Sequence, residues 1–294
     1  MSTGSGPAPR VMRIGPREFA WGARTYVMGV INVSPDSFSG DGLASADDAL
    51  AQARRFVAEG ADILDIGGQS TRPGATKTEA GFDEIEPEEE IRRVVPVLEG
   101  IRRALPDVPL SVDTYKPDVA RAAVAAGAHL LNDLWGFRRD PAIARIAAEA
   151  GLPAVAMHNQ RGRPPGDVIA RIAEGLRASV QIAADAGLPR ERLIVDPGFG
   201  FGWTPEQNIE LLRRLGELRA LRLPLLLGTS RKSTIGAVLG GAPVEQRLFG
   251  TAASVALAIA GGADIVRVHD VAAMKQVAAV ADAVVRGWPR EEGA

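Results

Sequence analysis

The sequence predicts an α/β protein, a (β/α)8 barrel of the TIM type in one domain, and three observations carry that prediction. Eight short apolar runs alternate with segments of helical periodicity along 294 residues, the rhythm of a parallel sheet wrapped in helices. Most runs are continuously apolar, as strands buried on both faces are. Three helix-to-strand junctions also echo one another: "AEGADILDIGG" (58–68), "AAGAHLLNDLWG" (125–136) and "AGGADIVRVHD" (260–270). Each ends a helix on glycine, which suits the left-handed position after a helix, and begins a strand at once. An open doubly wound sheet is the competing arrangement of the same alternation.

Element by element, the start "MSTGSGPAPR" (1–10) has no apolar core and reads as a disordered tail, leaving 11–290 for the barrel. Residues 11–24 are expected to form a hairpin closing the barrel bottom. Strands are expected at 25–32, 63–68, 109–114, 130–134, 153–158, 193–198, 224–229 and 265–270. Ser45 caps the first helix, with Asp47 and Asp48 in its first turn. In "EPEEEIRR" (86–93) the acids start a solvated helix with an expected Glu88–Arg92 pair. The loops 33–45 and 69–87, rich in Gly, Pro, Ser and Thr, are expected to be two long mobile lids on the C-terminal rim. In "DPGFGF" (196–201) a strand ends on Asp196, and a helix begins at Thr204.

Composition narrows the function. Hydrophobic residues make up 46% and charged residues 24%, an ordinary soluble globular balance with material for a large core. A net charge of −2 gives no basic field for nucleic acid or an anionic membrane. The absence of cysteine excludes disulfides, thiol catalysis and Cys-ligated zinc, and fits a cytoplasmic setting. The most apolar stretch, "TAASVALAIAGGADIVRV", is broken by Gly261, Gly262 and Asp264, so no membrane span is expected.

In such a barrel, chemistry sits at the C-terminal ends of the strands. Those ends carry Asn32, the loop after Gly68, Asp113, Asn132, His158, Asp196, the Gly228–Ser230 turn, Arg267 and His269. One polar residue there is a common turn former; nearly one per strand points to a shared site. Asp113, Asn132 and Asp196 suit a flat heterocycle with ring N–H and amino donors. Thr71, Arg72, Ser230, Arg231, Lys232, Arg267 and His269 suit a polyanion, Arg engaging it bidentately. Arg267 and His269, two apart on a strand, face the same way. His129, at the start of a strand, reads as structural, whereas His158 either packs beneath the site or joins it. No phosphate-binding glycine fingerprint and no Ser-His-Asp order is present.

Together "VMGVINVSPDSFSGDG", "DIGGQSTRPGA", "SVDTYKPDVA", "NDLWG", "DPGFGFG", "GTSRKSTIG" and "RVHDV" resemble, in order from about residue 25 to 275, the dihydropteroate synthase family. The resemblance implies condensation of a 6-hydroxymethyl-7,8-dihydropterin diphosphate with 4-aminobenzoate, by dissociative loss of pyrophosphate. It further implies that Asp113, Asn132, Asp196 and Lys232 line a pterin pocket. Thr71, Arg72, Asn32, Arg267 and His269 would hold the diphosphate, with Asn32 on Mg2+. Pro73, Phe201, Ser230 and Lys232 would border the aminobenzoate, and Arg267, His269, Lys232 and Asp113 would be the catalytic set. A homodimer is implied as well. The sequence departs from the family pattern at Gln69, where Glu is common, at Trp203, where Lys often stands, and in "MHNQRG". Two alternatives share the pterin acids: a methyltetrahydrofolate-dependent methyltransferase barrel, which needs no diphosphate site, and a paralogue that has lost condensation.

Overall fold

The computed structural model describes residues 10–33, 46–70, 84–163 and 166–288. The first nine residues of the tail, Ser45 and most of both long loops, with 34–45 and 71–83 among them, therefore lie outside the described residues.

Eight parallel strands follow in the expected order: β3 (Tyr26–Asn32), β4 (Ile63–Gly67), β5 (Leu110–Asp113), β6 (Leu130–Asp133), β7 (Ala154–Met157), β8 (Leu193–Asp196), β9 (Leu226–Leu227) and β10 (Ile265–Val268). Each pairs with its sequence neighbour from β3 to β8, and β10 lies between β3 and β9. A parallel bridge between Val195 and Leu225 closes the seam from β8 to β9. The seventh barrel strand is the shortest. Pro224 has no N–H to give a ladder, and the N–H of Leu225 goes instead to the Asp264 carboxylate at 2.9 Å.

Helices α1 (Ala46–Ala58), α2 (Pro87–Ala104), α3 (Pro117–Ala125), α4 (Ala142–Glu149), α5 (Val168–Asp185) and α6 (Pro205–Arg213) follow the first six barrel strands. The short α7 (Ser233–Val238) precedes α8 (Leu248–Ala260), and α9 (Val271–Arg286) follows the last strand. Thr204 caps α6 as expected, in a reciprocal capping box with Gln207. The expected Glu88–Arg92 pair is replaced: Glu89 takes both Arg92 and Arg93, at 2.5 and 2.8 Å. Both partners lie one turn from Glu89, so one carboxylate serves two arginines.

The hairpin β1 (Val11–Ile14) and β2 (Arg17–Ala20) is antiparallel. Met12, Ile14, Phe19 and Trp21 pack with Met28, Ile63, Leu130, Val155, Ile194, Leu226 and Ile265, so it plugs the barrel interior from below. Strand periodicity explains what lies above. Two residues on from that apolar layer, on the same inward face, come Val30, Asp65, Asn132, Met157, Asp196, Gly228 and Arg267. The alternate residues, such as Val27, Leu64, Val112, Leu131 and Val266, pack outward in the layer shared with the helices. The barrel interior is thus apolar at the bottom and polar at the top.

Candidate active site

Asp65 organises the mouth, and sequence reasoning passed over it. Its carboxylate is fully buried. Oδ2 accepts from Arg267 Nε at 2.6 Å and from Asn132 Nδ2 at 3.1 Å. Arg267 Nη2 then donates to Asp113 Oδ2 at 2.7 Å. One guanidinium therefore joins two carboxylates from β4 and β5, and an amide from β6 shares the first. The signal was present in "ILDIG": a charge inside an apolar strand has to find a partner. Arg267, expected among the anion ligands, thus also reaches Asp113, which is expected to face a heterocycle. Burial works against its charge, but the flanking carboxylates outweigh burial and raise its proton affinity further.

Asp113 is pushed up to about 7, first by burial and then by neighbouring carboxylates such as Asp65, against the charge of Arg267. Near neutrality it can accept a hydrogen bond or, protonated, donate one. Asp196 is pushed up to about 6 by burial, moderated by the charge of Lys232 and the Gly198 N–H. That N–H reaches Asp196 Oδ1 at 2.7 Å, which fixes the carboxyl and leaves Oδ2 for a ligand. Asn32 ends β3 beside Asp113: a Cβ placed on Gly67 would stand 3.6 Å from the Asp113 Cβ and 3.9 Å from Asn32 Oδ1.

The turn after Asp196 needs its glycines. Gly198, Gly200 and Gly202 have φ of 76°, 82° and 84°, where other residues are strained. A Cβ on Gly198 would fall 1.8 Å from the His158 carbonyl oxygen. The alternation sorts the two rings: Phe199 sinks into the core beside Trp203, while Phe201 joins Trp135, Tyr115, Leu134 and Met157 at the mouth. Lys232 spans them. Its ammonium donates to the Phe199 carbonyl and stands 4.5 Å from the Phe201 ring centroid. Burial drives its proton affinity down to about 7, against the pull of Asp196 and with a push from the charges of Arg267 and Arg161.

Ser230 and His269, expected to bind an anion, come together where the last two barrel strands finish, the usual phosphate position in this architecture. Ser230 Oγ accepts the His269 N–H at 3.2 Å and lies 3.0 Å from its Nδ1. Arg231, expected among the anion ligands, is paired with an acid in the fold. It sits at φ 58° and forms a two-pronged pair with Asp270 at 2.9 and 2.6 Å, clamping the turn after β9 to the end of β10. Thr71, Arg72 and Pro73 lie outside the described residues.

The histidines divide as well. His129 is structural: its Nδ1 accepts the Leu110 N–H at 3.1 Å at the barrel bottom. His158 packs beneath the site, fully buried and stacked on Trp203 with centroids 5.8 Å apart. Burial lowers its proton affinity to about 3, so it stays neutral. Trp203 is therefore a core residue under the turn. Gln69 is an anchor: Oε1 accepts from Lys116 Nζ at 2.6 Å and from the Ile85 N–H at 3.2 Å, and Nε2 donates to Tyr115 at 3.1 Å. Lys116 also holds Glu90 at 2.7 Å.

A carboxylate–amide pocket beside a cation cluster, inside one barrel, can be set beside the proteins this chain is similar to. The pterin binding enzyme family matches residues 28–269. A dihydropteroate synthase from Clostridium beijerinckii is 44% identical over 277 residues, covering 94% of this chain and all of that one. Among solved structures, the dihydropteroate synthase of Clostridium difficile in the presence of pteroic acid superposes with a TM-score of 0.84 at 44% identity, covering 91% of this chain and 99% of that one. The Xanthomonas albilineans dihydropteroate synthase with 4-aminobenzoic acid gives 0.85 at 42% identity, covering 94% and 98%. Matched from its first barrel strand to the end of its last, the chain belongs to the dihydropteroate synthase family of pterin-binding enzymes.

Proposed function

We infer that this chain condenses (7,8-dihydropterin-6-yl)methyl diphosphate with 4-aminobenzoate to give 7,8-dihydropteroate and diphosphate. The observation that carries the reading is the triad Asp65–Arg267–Asp113, which couples a heterocycle pocket to an anion site. A methyl-transferring pterin barrel would not need the second end. Asp196, Asn132 and Asp113 bind the amino and ring N–H edge of the pterin. His269, Ser230 and Arg267, with Thr71 and Arg72, take the diphosphate. The pterin ring can carry positive charge at its exocyclic methylene, so pyrophosphate leaves first and the amine of aminobenzoate adds to the cation. The chain then needs no strong base. It holds a departing polyanion against fixed cations and a transient cation beside Asp113 and Asp196, by positioning and electrostatics. Phe201 and Lys232, with Pro73, border the aminobenzoate.

Among the described residues no cluster of three His, Asp or Glu could hold a metal. The one oxygen of Asn32, beside Asp113 at the mouth, suits Mg2+, which keeps water and phosphate as its main ligands. When bound, Mg2+ would neutralise charge on the leaving diphosphate.

A homodimer is supported by the outer faces of α8 and α9. These helices pack together and expose Phe249 (85%), Leu257, Val280, Val284 (81%) and Val285, and contiguous exposed apolar patches mark interaction surfaces. Among the described residues no helix is long and apolar enough to cross a membrane, and the lack of cysteine fits a cytoplasmic enzyme. The test of the reaction is incubation with the pterin diphosphate, Mg2+ and 4-aminobenzoate, following pyrophosphate and dihydropteroate. Equimolar formation of both, dependent on the aminobenzoate, is expected. Pterin binding without either product would make the chain a non-condensing paralogue.

A further inference from the structure

Asn208 is none of the residues that line the mouth, yet it is bonded to both segments that hold Lys232. It is buried in α6, on the face it shares with Leu211 and Leu212, where an amide is costly unless it is paired. Both of its polar atoms are paired. Oδ1 accepts the Gly200 N–H at 2.7 Å. Nδ2 donates to the Trp203 and Thr204 carbonyls at 3.3 and 3.0 Å, and to Thr234 Oγ1 at 2.9 Å. These partners fix the orientation of the amide, because an N–H only donates and a carbonyl only accepts. Gly200 belongs to the turn after β8 and Thr234 to α7, so one side chain joins the turn to the helix.

Gly200 is gripped from both sides. A Cβ on it would stand 2.9 Å from Lys232 Cδ, so the lysine stem lies against its bare α-carbon while Asn208 holds its N–H. The Lys232 ammonium then closes on the Phe199 carbonyl and the Phe201 ring. Lys232 itself stands just before α7, a helix of 6 residues, too short to hold its own direction in water. Thr234, buried and bonded to Asn208, anchors it. We propose that Asn208 is a positioning residue: by tying Gly200 to Thr234 it sets the Lys232 ammonium against the glycine turn. The consequence for the reaction rests on the reading of Lys232 as a wall of the pterin and aminobenzoate sites.

Lys232 carries its own readout. Burial pushes its proton off, to about 7, with Asp196 and Asp113 pulling against burial and Arg267 and Arg161 pushing with it. An ammonium released toward water returns toward the ordinary lysine range. The experiment follows acetylation of Lys232 in the empty protein across a pH series, by mass mapping of the peptide that carries it. Thr234→Val keeps the volume and loses the hydroxyl, Thr234→Ser keeps the hydroxyl and loses a methyl, and Asn208→Leu removes the amide at similar volume. The midpoint is expected to rise by about half a unit in Thr234→Val and by about one unit or more in Asn208→Leu. Plain pterin should bind about 3- to 10-fold more weakly to both at pH 7, the loss of about one net hydrogen bond, whereas Thr234→Ser matches wild type in both measurements. A midpoint unmoved in Thr234→Val would overturn the proposal, showing that Lys232 is held without the tie. So would an equal rise in Thr234→Ser, which would make volume the cause. Thr234→Val decides the outcome if Asn208→Leu fails to fold. The midpoint is read without substrate, so a wild-type chain that forms no dihydropteroate would overturn the functional reading and leave the tie to be judged by the midpoint alone.

Discussion

Asp196 is ionised at neutral pH at the expense of the empty fold. Its folded-state value of about 6 lies above that of an unfolded aspartate. The folded chain therefore holds more protons between about pH 4 and 6, and stability falls as pH rises through that window. Asp196→Asn keeps the Oδ1 bond to Gly198 and removes the charge. It is expected to stabilise the empty protein at pH 8 by up to about 3 kcal/mol, with the slope from pH 4 to 6 reduced in a pH series of thermal melts. The same substitution turns an amide N–H donor toward the ligand donors and weakens a plain pterin by about 2–4 kcal/mol. Arg267 behaves differently. Arg267→Ala strands Asp65 and Asp113 without a counter-charge, so a loss of about 3–5 kcal/mol in stability is expected, read by denaturant titration, together with loss of both pterin and pyrophosphate. An unaltered midpoint would show that the two carboxylates do not depend on it. The strand-end residues Asp113, Asn132, Asp196 and His269 were legible because each ends an apolar run. Asp65 and the double duty of Arg267 were not, because they concern which inward side chains meet across the barrel.

At the scale of elements, the eight strands were legible because burial on both faces makes each a plain apolar run, and the capping box of α6 because Thr204 and Gln207 stand at the right spacing. What escaped was the wiring between elements. Gln69, after β4, ties the Ile85 backbone and Tyr115 to Lys116, and Lys116 closes on Glu90 in α2. Residues far apart in the chain meet there, and no local pattern announces it. Gln69→Ala removes the acceptor of the Ile85 N–H. Amide exchange at Ile85 should speed about tenfold, as the loss of one net hydrogen bond implies, with exchange in α9 unchanged. Exchange at Ile85 equal to wild type would show that the chain there is held by other contacts. The αL position of Arg231 was equally hidden, since its pairing with Asp270 depends on how two strand ends come to lie side by side.

At the scale of the molecule, the apolar layer plugged by the β1–β2 hairpin supports a polar layer directly above it, so the pterin acids stand on a rigid floor. Phe19 is buried in that floor, and Phe19→Ala should cost about 3–5 kcal/mol without altering the relative affinities of the two ends. The apolar outer faces of α8 and α9 give a second molecular prediction. Phe249→Glu places a charge in the proposed dimer contact and should shift the protein toward monomer in sedimentation velocity; an unshifted dimer would move the contact elsewhere. The central claim is that one mouth holds a heterocycle at one end and a diphosphate at the other, with Asp196 serving the first, His269 the second and Arg267 joining them. It is tested most directly by calorimetric titration of Asp196→Asn and His269→Ala with a plain pterin and with Mg2+ pyrophosphate. Asp196→Asn should lose pterin affinity about 30-fold or more and keep pyrophosphate within about threefold, and His269→Ala should do the reverse. Equal loss of both ligands in both variants, or the opposite pairing, would contradict a two-ended site.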